Sequence, residues 1–491
     1  MSSRLYTSAQ VREMDRRAIE DRGVAGFELM RRAADAAWRV FCARWPRIRK
    51  IAVLCGSGNN GGDGYLLACL AREAGASVVV LMLAEPATAD AQRARDAWRD
   101  AGGETLAAGH GLPAADAYVD AIFGTGLTRP VEGLVAQAIR HLNATGRPVL
   151  ALDVPSGIDA DTGAALGAAV RAEITVSFIA RKRGLVTGAA VDHCGTLVLD
   201  RLGLPEDAFA DAPCDARLLD ARRMAAWLPP RSRAAHKGDF GHVLAIGGDA
   251  GMGGAIRLCA EAALRAGAGL VSAATRQENI AAINAARPEV MAHATTDAAA
   301  LAVLLDRASV LALGPGLGQS DWGRKLWRAA LDSHKPTVVD ADALNLLAAQ
   351  AMALPPESAI TPHPGEAARL LGWNTERVER DRFAAARELA ARYRCVAVLK
   401  GAGTLIAHTE GSVTVCPWGN PGMASGGMGD VLTGVIAGLM AQGLNAWRAS
   451  RLGVGLHAQA GDAAARDGEA GTLASDLFPH LRRLRNGSAN A

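Results

Sequence analysis

Ile51-Ala-Val-Leu-Cys55 is a short apolar run that breaks into Gly56-Ser-Gly-Asn-Asn-Gly-Gly-Asp-Gly64. Tyr65 to Ala74 continues with helical spacing, and Ser77-Val-Val-Val-Leu-Met-Leu83 is a second apolar run. Strand, glycine loop, helix, strand is a βαβ unit, parallel and right-handed almost without exception. The stretch therefore sets the fold class as α/β, with ligands gathered at the carboxyl ends of strands. Its glycines miss the spacing of a dinucleotide fingerprint, and no Lys-Ser/Thr marks a P-loop. The polar side chains are Asn59, Asn60 and Asp63, oxygen groups suited to a hard cation or to ribose hydroxyls.

Two later strand ends repeat the theme. Ala117 to Phe123 runs into Gly124-Thr-Gly-Leu-Thr-Arg-Pro130, and Pro148 to Leu152 into Asp153-Val-Pro-Ser-Gly-Ile-Asp159. Each loop alone is a turn, but three at consecutive strand ends converge on one edge of a doubly wound sheet and make a site. Upstream, Thr7 to Arg39 reads as a pair of amphipathic helices split near Gly23–Gly26.

A second set of strand ends follows Asp200–Pro230, where prolines forbid a long helix and place a domain boundary near residue 220. Val243-Leu-Ala-Ile246 runs into Gly247-Gly-Asp-Ala-Gly-Met-Gly-Gly254, and a helix is expected from Ala255. Further strand ends carry Gly314-Pro-Gly-Leu-Gly318, Asp340-Ala-Asp-Ala-Leu-Asn345, Thr361-Pro-His-Pro-Gly-Glu366 and Lys400-Gly-Ala-Gly-Thr404. Lys400 among glycines reads as a phosphate contact, while His363 between prolines is balanced between ligand contact and plain turn. In Asn420-Pro-Gly-Met-Ala-Ser-Gly-Gly-Met-Gly-Asp-Val-Leu-Thr-Gly434 the glycines stand before Asp430, and a buried helix is expected from about Gly429. Free N–H groups there would hold an anion while a fixed carboxylate takes a proton from a hydroxyl. A helix-capping Asp is the plainer reading of Gly-Asp alone.

The 491 residues exceed one ordinary core, so two domains are expected, 1–220 and 221–491. Fifty-three basic and 50 acidic residues leave a net charge of +3 without a basic tract, so no nucleic-acid partner is implied. No run reaches a membrane span and no signal-peptide pattern is visible. The eight cysteines form no Cys-x-x-Cys, which suits reduced thiols rather than disulfides or zinc. A cytoplasmic homo-oligomer is the expectation.

Asn59-Asn-Gly-Gly-Asp-Gly64, Asp120-Ala-Ile-Phe-Gly-Thr-Gly-Leu127 and Asp153-Val-Pro-Ser-Gly-Ile-Asp-Ala-Asp161 resemble the YjeF N-terminal domain, an NAD(P)H-hydrate epimerase. The opening helices, with Gln10, Asp15 and Leu29-Met30, are similar too; Arg31-Arg-Ala-Ala-Asp departs from the family's Glu-Arg-Ala-Gly. The resemblance implies a Rossmann-like αβα sandwich. By it, Asn59, Asn60, Gly61, Gly62, Asp63, Gly124, Thr125, Gly126, Leu127, Thr128, Arg129, Pro130 and Asp153 would contact hydrated NADH or NADPH (NADHX, NADPHX). Asn60, Asp120 and Ser156 would hold a potassium ion. Epimerisation would use Asp153 as a base or proceed by ring opening.

Seven motifs of the second half, from Lys237-Gly-Asp-Phe-Gly-His242 to Gly426-Gly-Met-Gly-Asp430, resemble the YjeF C-terminal, ribokinase-like domain, which dehydrates the hydrate. This likeness implies a second αβα domain in which Ala255, Gly318, His363 and Asp430 bind the hydrate. Lys400, Gly401, Ala402, Gly403, Thr404 and Gly429 would bind ADP or ATP, and Glu366 would lie near magnesium. Asp430 would be the general base. A ribokinase-like small-molecule kinase, with a non-catalytic nucleotide- or protein-binding N-terminal module, is the competing reading.

Overall fold

The computed structural model describes residues 3–205, 208–209, 211–227, 230–350 and 352–487. Parts of the proline-rich join, including Glu206 of its Leu-Pro-Glu break and Leu228-Pro229 of its Leu-Pro-Pro break, lie outside them. Contacts concentrate within two compact units, Ser2–Ala216 and Arg217–Ala491.

In the first unit, β1 (Lys50–Cys55), β2 (Ser77–Met82), β3 (Glu104–Ala107), β4 (Ala117–Ala121), β5 (Val149–Leu152), β6 (Ile174–Phe178) and β7 (Thr196–Asp200) form a parallel sheet. Its order is β3-β2-β1-β4-β5-β6-β7. The reversal between β1 and β4 is the switch point at which such sheets bind ligands. β1 reads as an unbroken apolar run because both faces are covered. Ile51, Val53 and Cys55 pack toward α1 (Ser8–Glu20), α2 (Gly26–Arg44) and α3 (Asn59–Glu73), while Ala52 and Leu54 pack with Ile139 and Leu142. α1 begins at a capping box, with the Gln10 backbone N–H donating to Thr7 and the Gln10 side chain accepting from the Thr7 N–H.

The structure differs from the sequence expectation at α3. The Asn59–Gly64 stretch is not loop but the first turns of the helix, which starts after Gly58. Glycines weaken a helix without forbidding it, and here close packing requires them: a Cβ on Gly61 would strike the Gly56 carbonyl, and one on Gly62 the Met30 sulfur.

In the second unit β8 (His242–Ile246), β9 (Leu270–Thr275), β10 (Met291–Ala294), β11 (Val310–Leu313), β12 (Thr337–Val339), β13 (Ala359–Ile360) and β14 (Val396–Leu399) pair in parallel. β15 (Leu405–Ala407) and β16 (Val413–Val415) extend the sheet antiparallel. Among these nine strands the order is β16-β15-β14-β13-β12-β11-β8-β9-β10.

Helices α4 (Gly253–Ala266), α5 (Pro364–Leu371), α6 (Arg382–Tyr393), α7 (Met428–Ala441) and α8 (Ala446–Ala464) position the chemistry. α4 starts two residues before Ala255 and α7 one before Gly429, again because glycines enter the first turn. From Val431 to Met440 every residue of α7 is buried, as a helix apolar all round demands. It packs on α4 almost backbone to backbone, since side chains on Gly434 and Gly438 would overlap the Cys259 and Ala263 carbonyls.

Candidate active sites

The first unit opens a cavity of about 820 Å³ at the carboxyl ends of its strands. Asn59, Asn60, Asp63, Gly124–Arg129 and Asp153 line it, as do Asp15 and Lys182. Pro130 is exposed and, like Gly61 and Gly62, stands outside that wall. Asp120 and Ser156 lie fully buried beneath it. Ser156 donates from its backbone N–H to Asp120 Oδ2 at 2.7 Å and from its hydroxyl to Oδ1 at 2.6 Å. Its Oγ also accepts the Phe123 N–H at 2.8 Å, so the Asp120–Ser156 pair ties the ends of β4 and β5 together. Burial lifts the Asp120 carboxyl to about 6 against those hydrogen bonds.

Asp153 is held in a left-handed conformation, φ +64°, a placement an aspartate tolerates but does not prefer. Its Oδ1 accepts from Lys182 Nζ and from the Phe178 N–H at 3.2 Å. Lys182 is 1% exposed and also donates to Ser177 Oγ and the Phe178 carbonyl. A buried lysine that keeps its charge needs such partners. Burial raises Asp63 well above the carboxylate range, with the charges of Asp153 and Asp15 adding to it. Burial likewise brings Asp15 to about 6, despite Lys182. The cleft thus sets Asp153, bound by Lys182, beside Asp63, whose burial favours its protonated form, and Asp15, brought to about 6. Lys182 escaped the sequence reading because it stands 29 residues after Asp153, in no loop of the pattern.

In the second unit, Lys400 Nζ donates to Asp340 Oδ1 at 2.8 Å and lies 3.7 Å from Glu366. Thr433, on α7, donates to Asp340 Oδ2 at 2.8 Å. Burial works against the Lys400 charge, yet Asp340 and Glu366 raise its pKa above the usual value. Asp340 is held below the carboxylate range, Lys400 and its hydrogen bonds overcoming burial. Asp430, one turn before Thr433, has no such partner among the described residues: burial, then the Asp340 charge, push it up to about 7 against the pull of Lys400. Gly429 leaves the passage open, for a Cβ there would sit 3.3 Å from Lys400 Nζ and 3.4 Å from Asp340 Oδ2.

His363 proves to be neither a plain turn nor a free side chain. Its Nδ1 accepts the Gly365 N–H at 3.0 Å, and Glu366 Oε2 accepts the His363 N–H at 2.8 Å, a capping box with Pro364 at the first helical position. Gly318, at φ +69°, donates its N–H to Asp342 Oδ2 at 2.9 Å. Ala255 lies in the first turns of α4. Beneath Lys400–Thr404, the Arg382 guanidinium, 1% exposed, donates to the Lys400 carbonyl at 2.9 Å, with Gly401 at φ +125° and Gly403 at φ +61°. Asp462 of α8 accepts from the Gly419 N–H at 3.2 Å and from Asn420 Nδ2 at 2.9 Å, fastening the glycine turn before α7. Among the described residues no three His, Cys, Asp or Glu side chains cluster as metal ligands.

A switch-point cleft lined by carboxyls and amides, and a glycine-nested aspartate facing a lysine on a ribokinase-like core, define an α/β enzyme with two active sites on one chain. Residues 26–184 match the family model for the YjeF-related protein N-terminus, and residues 243–483 that for NAD(P)H-hydrate dehydratase. A bifunctional NAD(P)H-hydrate repair enzyme of Coxiella burnetii is 48% identical over 98% of this chain and 99% of its own; that of Escherichia coli is 46% identical over 98% and 94%. The chain belongs to the bifunctional NAD(P)H-hydrate repair enzymes, which join an epimerase and a dehydratase.

Among solved structures, a Streptococcus mutans protein is similar over 56% of this chain and all of its own, at 30% identity and a TM-score of 0.52. A Bacillus subtilis ADP/ATP-dependent NAD(P)H-hydrate dehydratase, crystallised with ATP and magnesium, covers 55% of this chain and 98% of its own, at 29% identity and a TM-score of 0.50.

Proposed function

We propose that the second unit dehydrates the S epimer of hydrated NADH or NADPH at the expense of ADP or ATP, with Asp430 as general base. The observation carrying this reading is the contrast between two neighbouring carboxylates. Asp340 is committed to Lys400 and Thr433, whereas Asp430, unpaired among the described residues, stands at the start of α7 with its pKa brought to about 7, where a general base is most useful. Asp430 takes the proton of the C6 hydroxyl, whose oxygen accepts the terminal phosphoryl of the nucleotide. Phosphate then departs with the C–O bond electrons, and a proton is lost as the dihydropyridine re-forms. Lys400 and the N–H groups of the glycine turn stabilise the transferring phosphoryl by placement and charge. Hydrate contacts at Ala255, Gly318 and His363, and nucleotide contacts at Lys400–Thr404 and Gly429, complete the assignment.

Magnesium, when bound, neutralises charge on the nucleotide phosphates. Glu366 is a poor candidate ligand, since one of its oxygens caps α5 and lies near Lys400.

The first unit epimerises the hydrate, with Asp153 as the proton-handling carboxylate positioned by Lys182. Potassium fits beneath the cleft: the Asn60 amide is buried with neither its oxygen nor its nitrogen hydrogen-bonded, and Asp120 and Ser156 supply further oxygens. A bound potassium ion would supply fixed positive charge under the substrate.

The test is to incubate mixed-epimer hydrate with ADP or ATP and follow the absorbance of reduced nicotinamide. Complete recovery supports both activities. Recovery stopping at the S fraction removes the epimerase, and phosphate retained on the product would mark a kinase instead.

A further inference from the structure

The second unit contains another large cavity, about 790 Å³, that no step above uses. It lies at the opposite end of α4 from the catalytic turns, where Leu264, Arg265 and Gly267 form part of its wall. Leu264 stands nine helical residues beyond Ala255 on α4, roughly 14 Å along the axis at 1.5 Å per residue. Met224, Leu264, Leu452 and Leu456 give it an apolar side. Arg231, Arg265, Arg287, Arg482 and Arg485 stand against Glu261 and Glu289, an excess of positive charge.

The glutamates do not absorb that excess. Glu261 is 1% exposed and already ringed by Arg257 at 3.2 Å, Arg265 at 3.3 Å and Arg287 at 2.5 Å. Arg231 and Arg485 both donate to one neutral oxygen, Gln442 Oε1, at 3.2 and 3.1 Å. Among the described residues neither has a carboxylate within ion-pair distance. Burial, then the charge of neighbouring Arg231, lowers the Arg485 pKa. Capping the carbonyl end of α4 explains one contact, Arg231 to the Gly267 carbonyl. It does not explain the Arg485 and Arg287 Nε groups, both buried without an acceptor among the described residues. Native proteins rarely leave such donors unmet.

We propose that this cleft binds a small organic anion: a phosphate or sulfonate group against Arg231 and Arg485, and a flat apolar body against Leu264, Leu452 and Leu456. Its volume lies in the range of small-molecule sites.

Fluorescence titration of the full chain with anilinonaphthalene sulfonate, under saturating ADP to keep the catalytic site filled, tests this. One saturable site is expected. The Arg231→Gln/Arg485→Gln variant should weaken it at least about tenfold, since one hydrogen bond to a charged group is worth that much. Asp430→Asn should leave it unchanged. Leu264→Asp keeps every arginine but offers them a carboxylate, and should weaken binding too, covering the case in which the double variant does not fold. Absence of saturable binding, or binding indifferent to both cleft variants, overturns the proposal.

Discussion

Asp430 and Asp340 share a neighbourhood and differ in fate because only one is paired. Asp430→Asn keeps size and capping ability while removing the basic oxygen. Dehydration should fall at least about a hundredfold, the lower end for a lost general base, while nucleotide affinity persists or tightens as a negative charge leaves the phosphate site. A helix cap alone predicts near-normal turnover. In the parent enzyme, kcat/KM for dehydration should rise with pH through about 7, the value burial gives Asp430. Stability moves oppositely. A carboxyl with its folded pKa raised binds protons more tightly when folded, so it destabilises increasingly as pH climbs from the unfolded value toward 7. Calorimetry should therefore find Asp430→Asn more stable than the parent at pH ~8 and indistinguishable near pH ~4. Asp120, tied to Ser156 under the other cleft, makes a contrasting case. Asp120→Ala should damage epimerisation and spare dehydration of the pure S hydrate; parallel loss in a folded variant would refute independent sites.

At the scale of elements, α4 and α7 meet almost backbone to backbone at Gly434 and Gly438. Gly434→Ala forces a Cβ into the Cys259 carbonyl, an overpacking that backbone cannot relieve by a rotamer change. About 1–3 kcal/mol of stability should be lost, seen as a lower unfolding midpoint. Gly443→Ala, with open space around its Cβ but positive φ, should cost less. Much of this architecture was legible in the chain. Apolar runs ending in glycine and acid announced β1, β4, β5, β8 and α7 because burial on both sheet faces leaves an uninterrupted signal. The start of α3 was set too late, at Tyr65 rather than Asn59, and that of α4 by two residues, since glycine carries no mark separating a loop from a first turn, while α7 begins within one residue of the expected Gly429. Pairings across sequence were not legible at all. Lys182 with Asp153, Asp462 with Asn420 and Arg382 under Lys400 are made by packing of distant elements, and nothing local to either partner encodes them.

For the whole molecule, each unit carries its own parallel strands, covered faces and set of strand-end residues. Fragments 1–220 and 221–491 should accordingly fold separately, the first retaining epimerase and the second dehydratase activity. Circular dichroism and the two assays check this; an insoluble second fragment would show that its core depends on the first.

The early start of α3 has a consequence for chemical ageing. Asn60-Gly61 is the dipeptide most prone to spontaneous deamidation, in which the following amide nitrogen attacks the side-chain carbonyl. Here the Gly61 N–H is engaged with the Gly58 carbonyl at 3.0 Å, the backbone is helical, and the Asn60 amide is 8% exposed. The attacking nitrogen is held away from its target and water is kept from the intermediate. An enzyme that mends damaged cofactor thereby shields the most perishable bond of its own cleft, for as long as that first turn stays wound.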